Sequence, residues 1–205
     1  MIISISHSKG GCGKSLLTLN LAPLIKNLLI IDLDTQNSVT EINQARKSKF
    51  NILSSKNEKD FFKILDNNED KNIIIDCGGI DSDINRLAVV NSDILIVPVK
   101  DNSFEILAFR RYLKVIEKLI NKNPDLKVLV VLNNVHYLSK DFTRLKELVA
   151  KYDYIKLANT IIRTRADFSN FLELGTTIYE EDKTKKSSLE IKSLYKEIKK
   201  VVKNG

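Results

Sequence analysis

Runs of consecutive apolar residues recur along the chain, and segments with helical periodicity separate them. The strand candidates are Ile2–Ser6, Leu28–Leu33, Asn72–Cys77, Asp93–Val99, Lys127–Leu132 and Tyr154–Leu157. Most of these runs have Ile, Val and Leu at consecutive positions. A strand exposed on one face would instead alternate apolar and polar residues. These runs therefore predict strands buried on both faces, as in a parallel sheet.

The segments between and after these runs carry apolar residues every three to four positions, which predicts amphipathic helices. They are Lys14–Lys26, Ser103–Asn121, Lys140–Lys151 and Ser188–Lys203. Strands that alternate with helices predict βαβ units, and hence an α/β fold with a doubly wound, mostly parallel sheet and helices on both faces. The polar segment Glu180–Ser187 is the best candidate for a mobile loop.

Length and composition fit a globular protein, with 205 residues, 43% hydrophobic and 29% charged. We expect residues 1–205 to form one soluble domain. No apolar run has the length that a bilayer requires, and the N-terminus lacks the features of a signal peptide. The two cysteines, Cys12 and Cys77, cannot form a disulfide framework, so we expect a reducing, cytoplasmic location.

The chain is basic, with a formal net charge of +7 and a pI of about 9.2. An excess of positive charge favours polyanion partners, above all nucleic acid. The abundance of Lys, Asn and Ile also fits the codon usage of an AT-rich genome. Charge alone therefore leaves DNA binding open.

A glycine-rich segment follows the first predicted strand and opens the first predicted helix. Residues 8–15 read Ser-Lys-Gly-Gly-Cys-Gly-Lys-Ser. Glycines let the backbone curl so that its N–H groups point at phosphate oxygens, and the N-terminus of the helix adds positive potential. Lys14 can reach the terminal phosphates and the Ser15 hydroxyl can ligate Mg²⁺. The predicted nucleotide cradle comprises Lys9, Gly10, Gly11, Cys12, Gly13, Lys14, Ser15 and Leu16.

Acidic residues stand at the ends of two further predicted strands. Asp32 and Asp34 stand at the end of the apolar run that begins at Leu28, and Asp76 follows the run Ile73–Ile75. The carboxyl ends of parallel strands lie at one edge of the sheet, where open α/β sheets bind their ligands. An alternative is that these are solvated acids at strand ends, which are common.

The segment Lys9-Gly10-Gly11-Cys12-Gly13-Lys14-Ser15 resembles the deviant Walker A motif, K-G-G-x-G-K-[ST], of the ParA/MinD/nitrogenase-iron-protein ATPases, which are SIMIBI-like P-loop NTPases. The later run Asp32-Leu33-Asp34-Thr35-Gln36 resembles the D-x-D-x-Q of ParA-like proteins. The resemblance implies an ATPase that requires ATP and Mg²⁺. These two motifs are specific, and the remaining similarity along the chain is supportive.

The resemblance also assigns roles. Lys9 would reach across a dimer interface to the partner's nucleotide, and Lys9, Lys14 and Asp34 would form the catalytic set. Asp34 would orient the attacking water. Ser15, Asp32 and Asp76 would hold Mg²⁺, with Asp76 in the Walker B position. The glycines after Asp76, Gly78 and Gly79, would allow a loop that shifts with the nucleotide state.

Related nucleotide-binding folds use an Asn near the end of a later strand for the adenine, which makes Asn133 a candidate; a turn-forming Asn pair is an equal alternative. ParA-like dimers bind DNA through basic residues in the C-terminal third. The corresponding candidates are Arg163, Arg165, Lys192, Lys196 and Lys199, although lysines on a helix are usually only solvated.

By this resemblance the protein would be a ParA-type partition ATPase. It would form an ATP-dependent homodimer, bind non-specific DNA on the nucleoid, and respond to a small centromere-binding, ParB-like protein during plasmid or chromosome segregation. Alternatives are a MinD-like membrane-associated ATPase, a conjugation or cargo-positioning switch, and a metabolic ligase or kinase. The final helix lacks Trp and Phe, so we expect no stable membrane association.

Overall fold

The computed structural model describes residues 1–79 and 82–203 of the protein, and their side chains except those of residues 169 and 171–173. Its strands are β1 (Ile2–Ile5), β2 (Leu28–Asp32), β3 (Ile52–Ser54), β4 (Asn72–Asp76), β5 (Ile94–Val99), β6 (Lys127–Leu132) and β7 (Ile155–Leu157). Its α-helices are α1 (Lys14–Leu21), α2 (Ser38–Ala45), α3 (Glu58–Asp66), α4 (Asp83–Val90), α5 (Ser103–Lys122), α6 (Thr143–Val149), α7 (Asp167–Leu174), α8 (Ile178–Glu181) and α9 (Lys186–Lys203).

These strands form one sheet in the order β3-β2-β4-β1-β5-β6-β7. Each pair of neighbouring strands is parallel, so the described sheet is entirely parallel where the sequence predicted a mostly parallel one. The chain first builds outward from β1 towards β3, then returns to place β4 beside β1 and continues through β5. The carboxyl end of β1 therefore lies at the switch point, where doubly wound sheets bind ligands.

Alternate residues of the inner strands pack against opposite layers of helices. In β4, Ile73 and Ile75 face a core formed with α3, α4, α5 and α6, whereas Ile74 faces the opposite core with α1 and α9. Both faces are buried, which explains the continuous apolar runs in the sequence. The predicted doubly wound architecture is confirmed.

The strand predictions are confirmed to within one residue at each end, and one strand was missed. β3 is three residues long, and its last two residues are exposed. It therefore lacks the long apolar run that marks the buried strands in the sequence. As the edge strand, β3 has a neighbouring strand on one side only and is partly open to solvent, so fewer of its side chains need to be apolar. The short helices α2, α3, α4, α7 and α8 were also missed.

Two predicted helices are shorter in the structure. The helix predicted over Lys14–Lys26 ends at Leu21 and continues as a 3₁₀ turn, Ala22–Leu24, because Pro23 has no N–H to continue an α-helix. The helix predicted over Lys140–Lys151 begins at Thr143, where the Asp141 carboxylate accepts a hydrogen bond from the Thr143 N–H at 2.9 Å.

The segment Glu180–Ser187, predicted as a loop, instead contains the end of α8 and the start of α9. The Arg46 guanidinium donates two hydrogen bonds to Glu180, at 2.8 and 2.9 Å, and Glu180 also closes a capping box with Thr177. Burial raises the pKa of Glu180, but the hydrogen bonds from Arg46 and Thr177 outweigh that effect and hold it below its usual value. Glu180 thus joins the end of α2 to the C-terminal helices.

The apolar side of α9 is covered by the sheet layer. Ile191, Leu194 and Ile198 are fully buried against the core that contains β1 and α1. The amphipathic helix predicted over Ser188–Lys203 is therefore present, with its apolar stripe on the core. Within the described ranges, no helix combines the length and the apolar character that crossing a bilayer would require.

Candidate functional site

The loop between β1 and α1 curls where its glycines adopt left-handed backbone angles. Gly11 has φ +72° and Gly13 has φ +93°, a region that favours glycine. A Cβ atom added at Gly13 would lie 2.3 Å from Nδ2 of Asn133, so a larger residue would also clash. Gly13 is the N-cap of α1, and the first N–H groups of that helix point at the loop's concave side. This is the geometry of an anion-binding nest.

Lys14 is the first residue of α1, and its amine lies over the loop. The Nζ atom donates a hydrogen bond to the Lys9 carbonyl oxygen at 3.1 Å. The side chain is largely buried but lines a cavity at its tip. A cation held at this place is available to a phosphate that enters the loop.

Asp76 is buried directly beneath the loop. Its carboxylate accepts hydrogen bonds from the hydroxyls of Ser15, at 2.7 Å, and Thr18, at 3.1 Å. The pKa of Asp76 is raised to about 7: burial is the main cause, the Ser15 hydrogen bond opposes the rise, and the neighbouring Asp32, its partner in the β2–β4 register, adds to it. A cation near Asp76 and the Ser15 hydroxyl would offset the cost of this buried charge.

Asp32 organises the segment that follows β2. Its Oδ2 accepts hydrogen bonds from the Thr40 N–H, at 3.1 Å, and hydroxyl, at 2.7 Å, and its Oδ1 accepts one from the Asp34 N–H at 3.1 Å. These contacts fix the start of α2. Both oxygens are engaged within the protein, so a role for Asp32 towards Mg²⁺ stays a prediction that its contacts do not favour.

Asp34 is half-buried and faces the cavity. One carboxylate oxygen accepts a hydrogen bond from the Gln36 N–H at 3.0 Å. Across the cavity, Gly79 packs on the glycine loop: an added Cβ would lie 3.3 Å from the Gly10 backbone and 3.6 Å from the Lys14 amine. Glycine at this position permits the loop after β4 to lie against the phosphate loop.

The cavity has a volume of about 1010 Å³ and lies at the carboxyl edge of the sheet. It is lined by the glycine loop and by the segments that follow β2, β3 and β4. Among the predicted residues Gly10, Gly11, Gly13, Lys14, Ser15, Leu16, Asp32 and Asp34 line it. The rest of the D-x-D-x-Q motif, Leu33, Thr35 and Gln36, lines it too, as do Gly78 and Gly79. Lining residues that the sequence did not indicate are Asn37, Ser38, Ser54, Ser55, Lys56, Ser82, Ile84 and Asn85. The feature that could have indicated these residues is their position soon after the end of a strand. The residues after β3 could not be found in this way, because β3 itself was not predicted.

Four predicted residues lie outside this lining: Asp76, which lies beneath it, and Asn133, Cys12 and Lys9. The Asn133 amide is fully buried and donates to the Cys12 carbonyl at 2.7 Å, so it supports the loop from behind; its adenine role stays a prediction that this position does not favour. Cys12 is buried, and burial raises the pKa of its thiol. Lys9 points away from the cavity and pairs with Glu105, with Nζ and Oε1 2.5 Å apart.

The proposed DNA-binding residues divide into two groups. Arg163 donates to the carbonyl oxygens of His136 and Ser139, and Arg165 pairs with Glu190, so both arginines are engaged within the protein. Lys192, Lys196 and Lys199 are exposed on α9. The lysines are therefore better placed than the arginines to meet a polyanion.

His7 precedes the glycine loop and is buried beside it. It is fully buried, stacks on Tyr112 with ring centroids 5.3 Å apart, and accepts a hydrogen bond from the Lys9 N–H at 3.0 Å. Burial lowers its pKa from 6.5 to about 4, with Glu105 opposing the shift. At neutral pH the folded protein therefore holds this imidazole uncharged.

We expect His7 to make the folded state less stable in acid. Between pH 6.5 and about 4 the unfolded chain binds a proton that the folded protein excludes, so the free energy of unfolding falls as the pH falls through this window. The slope attributable to His7 approaches about 1.4 kcal/mol per pH unit. Urea unfolding of wild type and His7→Asn from pH 7 to pH 4 measures it. Parallel curves for the two proteins would contradict the assignment.

The glycine loop at the switch point and the strand-end carboxylates around it define a P-loop nucleotide-binding protein of the α/β class. A family model for the CobQ/CobB/MinD/ParA nucleotide-binding domain matches residues 3–178. The chain belongs to this family, which confirms the resemblance predicted from the Walker A segment.

Individual relatives are distant in sequence. Maintenance of carboxysome distribution protein A from Halothiobacillus neapolitanus is 22% identical over 188 residues, covering 87% of this chain and 86% of that protein. In the MinC:MinD cell division protein complex from Aquifex aeolicus, the matching chain superimposes with a TM-score of 0.73 at 19% identity, covering 96% of this chain and 95% of that one. A putative plasmid partition protein from Borrelia burgdorferi bound to AMPPNP gives 0.68 at 17% identity, covering 97% and 98%. At these identities the structures establish the shared fold.

Proposed function

We propose that this protein is a ParA-type ATPase that binds ATP with Mg²⁺ and hydrolyses it slowly to ADP and phosphate. One observation carries the proposal: Lys14, Ser15 and Asp34 line one cavity at the switch point, with Asp76 bonded to Ser15 directly beneath it. A cation, a metal-ligating hydroxyl and a carboxylate facing the same space are the parts that phosphoryl transfer to water requires.

The phosphates would lie in the glycine loop. The backbone N–H groups of Gly11 to Lys14 and the start of α1 would bind their oxygens, and Lys14 would leave the Lys9 carbonyl to meet the terminal phosphates. The solved partition protein that binds AMPPNP shares this fold, which supports a nucleotide at the same edge.

The residues fit Mg²⁺ as an ion shared with the phosphates. Asp76 has a raised pKa and lies 2.7 Å from the Ser15 hydroxyl, so a cation would relieve the cost of its buried charge. Within the described ranges no three His, Cys, Asp or Glu residues converge as a metal cluster. That is the arrangement expected for Mg²⁺, which keeps waters and phosphate oxygens and uses few protein ligands.

Hydrolysis would use Asp34 on the attacking water. Asp34 faces the cavity and keeps one carboxylate oxygen outside its bond to Gln36, so it can accept a hydrogen bond from a water on the far side of the terminal phosphate. Lys9 would neutralise charge in the nucleotide site of a second subunit, so that ATP joins two chains in a homodimer.

DNA is the partner that the charge distribution of α9 supports. Its inward acids have structural tasks: Glu190 pairs with Arg165, and Glu197 accepts hydrogen bonds from the N–H groups of Asn159 and Thr160. The exposed side is left with Lys192, Lys196 and Lys199. A cationic helix face binds phosphates without regard to sequence.

The object that this ATPase would move or position, its cargo, is inferred from the family resemblance and from one relative. A ParB-like, centromere-binding protein would stimulate hydrolysis if the cargo is a plasmid or chromosome, and the protein would then act on the nucleoid in the cytoplasm. A second candidate is positioning of a protein assembly, favoured by the similarity to maintenance of carboxysome distribution protein A. A MinD-like membrane role is less well supported, because the apolar stripe of α9 is buried.

Mobility shift of random DNA tests the proposal directly. We expect DNA retention at low salt with ATP and Mg²⁺, and little retention with ADP or at high salt. Vesicles of anionic lipid serve as the parallel arm. Binding to vesicles but not to DNA would replace the partition proposal by the membrane-associated one.

Removing three exposed charges from α9 should weaken DNA binding and its salt dependence together. The variant Lys192→Gln, Lys196→Gln, Lys199→Gln is expected to reduce the slope of log affinity against log salt by about 2 to 3. The matched control is Lys114→Gln, Lys118→Gln, Lys122→Gln on exposed positions of α5, which packs on the opposite face of the sheet. An equal loss in the two variants would show that α9 is not the DNA-binding face.

A further inference from the structure

Lys9 is held inside its own subunit by a buried carboxylate. Its Nζ lies 2.5 Å from Oε1 of Glu105, and the Lys9 side chain is 38% exposed whereas that of Glu105 is 4% exposed. The second oxygen, Oε2, is buried and has no hydrogen-bond partner among the described residues. Lys9 is therefore the main neutralising charge for a carboxylate with little access to water.

The fold holds the Glu105 side chain more firmly than the Lys9 side chain. Glu105 lies in the first turn of α5, where its N–H donates to the Asn102 side chain at 3.0 Å. Further along the same helix, Phe109 and Ile116 are fully buried in the core. The helix N-terminus favours a negative charge at Glu105. Glu105 is thus fixed by the fold, whereas Lys9 stands on a loop and moves through side-chain torsions.

The loop connects this pair to the nucleotide site. The Lys9 carbonyl oxygen accepts hydrogen bonds from the Lys14 amine, at 3.1 Å, and from the Cys12 thiol, at 3.3 Å. A phosphate bound by Lys14 would draw that amine from the Lys9 carbonyl. Nucleotide binding would then remove one restraint on the residue that Glu105 holds.

We propose that Glu105 is a positioning residue that latches Lys9 in cis and so sets the threshold for ATP-dependent dimerisation. The inference rests on the proposed function, in which Lys9 acts on the nucleotide of a second subunit. Release of Lys9 leaves the Glu105 carboxylate buried without its partner, which is costly. Dimers then form only when the contacts to nucleotide and to the second subunit together offset that cost. In a nucleotide-bound monomer Lys9 stays paired with Glu105.

Neutralising Glu105 should lower the dimerisation threshold. We expect Glu105→Gln to form AMPPNP–Mg²⁺ dimers at a protein concentration about tenfold lower than wild type, because a larger fraction of monomers presents a released Lys9. Sedimentation velocity across a protein dilution series gives the midpoint. Glu105→Met, which fills the same space without charge, provides a second variant should the glutamine protein fold poorly.

A double-mutant cycle separates the latch from a purely structural role. In a Lys9→Ala background, which the proposed function expects to dimerise weakly or not at all, there is no lysine to release, so adding Glu105→Gln should produce no gain in dimerisation. An equal shift in both backgrounds, or no shift in the wild-type background while wild type dimerises, overturns the latch alone.

The proposed function has its own readout in the same series. Fluorescent nucleotide titration of wild type reports ATP binding independently of dimerisation. If wild type binds nucleotide but it and both Glu105 variants stay monomeric at every concentration, the dimer mechanism fails and the latch fails with it. If only the variants dimerise, the latch is supported and the wild-type threshold lies above the concentrations used.

Discussion

Replacing Lys14 by alanine is expected to abolish nucleotide binding and, with it, nucleotide-dependent retention on DNA. The amine is the cation placed over the glycine loop, largely buried and within 3.1 Å of the Lys9 carbonyl. Removing a buried charge from a phosphate contact costs about 2–5 kcal/mol, so affinity for ATP should fall by a factor on the order of 100 or more. Calorimetric titration with ATP–Mg²⁺ measures the loss.

Lys26→Ala is the matched control, because Lys26 is exposed beyond the 3₁₀ turn that follows α1. That variant should bind ATP and remain on DNA as wild type does. DNA retention by Lys14→Ala equal to that of wild type, with ATP present, would remove the basis of the proposed function.

Alanine at Asp34 should separate hydrolysis from binding. Asp34 faces the cavity from the loop after β2, and one of its carboxylate oxygens accepts a hydrogen bond from the Gln36 N–H. Loss of a group that orients or accepts a proton from the attacking water typically slows hydrolysis by about 10²- to 10⁴-fold. ATP binding should stay within a few-fold of wild type, so ATP dimers should accumulate and persist on DNA.

Phosphate release and sedimentation with ATP provide the two measurements for Asp34→Ala. Asp66→Ala, at an exposed position at the end of α3, controls for the general loss of one negative charge. If Asp34→Ala hydrolyses ATP at the wild-type rate, the water-orienting role belongs to another group. If it fails to bind ATP, Asp34 contributes to the shape of the cavity and not to the chemical step.

Much of the nucleotide site was readable from local sequence. The curl of residues 9–15 depends on glycines that tolerate positive φ at Gly11 and Gly13, and on a helix that begins at the next residue. Asp32 and Asp76 could be placed at the same edge of the sheet because each follows an apolar run, and the structure adds that the β2–β4 register pairs them. Local conformation and strand burial are properties that neighbouring residues encode directly.

Contacts between distant parts of the chain could not be read in this way. Nothing near Lys9 in the sequence indicates that Glu105, 96 residues later, would hold its amine. Asn133 looked like a turn residue or an adenine contact, yet it supports the glycine loop from behind, 121 residues from Cys12. Arg163 and Arg165 looked available to DNA because their partners come from other elements.

The sequence by itself determined that this protein is a parallel α/β P-loop protein, because continuous apolar runs require burial on both sheet faces and the glycines that let the loop curl are local in sequence. Only the tertiary structure decided which polar groups are paired inside the fold and which face the solvent. It buries the Glu105 carboxylate against Lys9, fixes Asp32 on Thr40 and leaves the lysines of α9 exposed. The physical reason is that the cost of a buried charge depends on partners that only folding brings within a few ångströms.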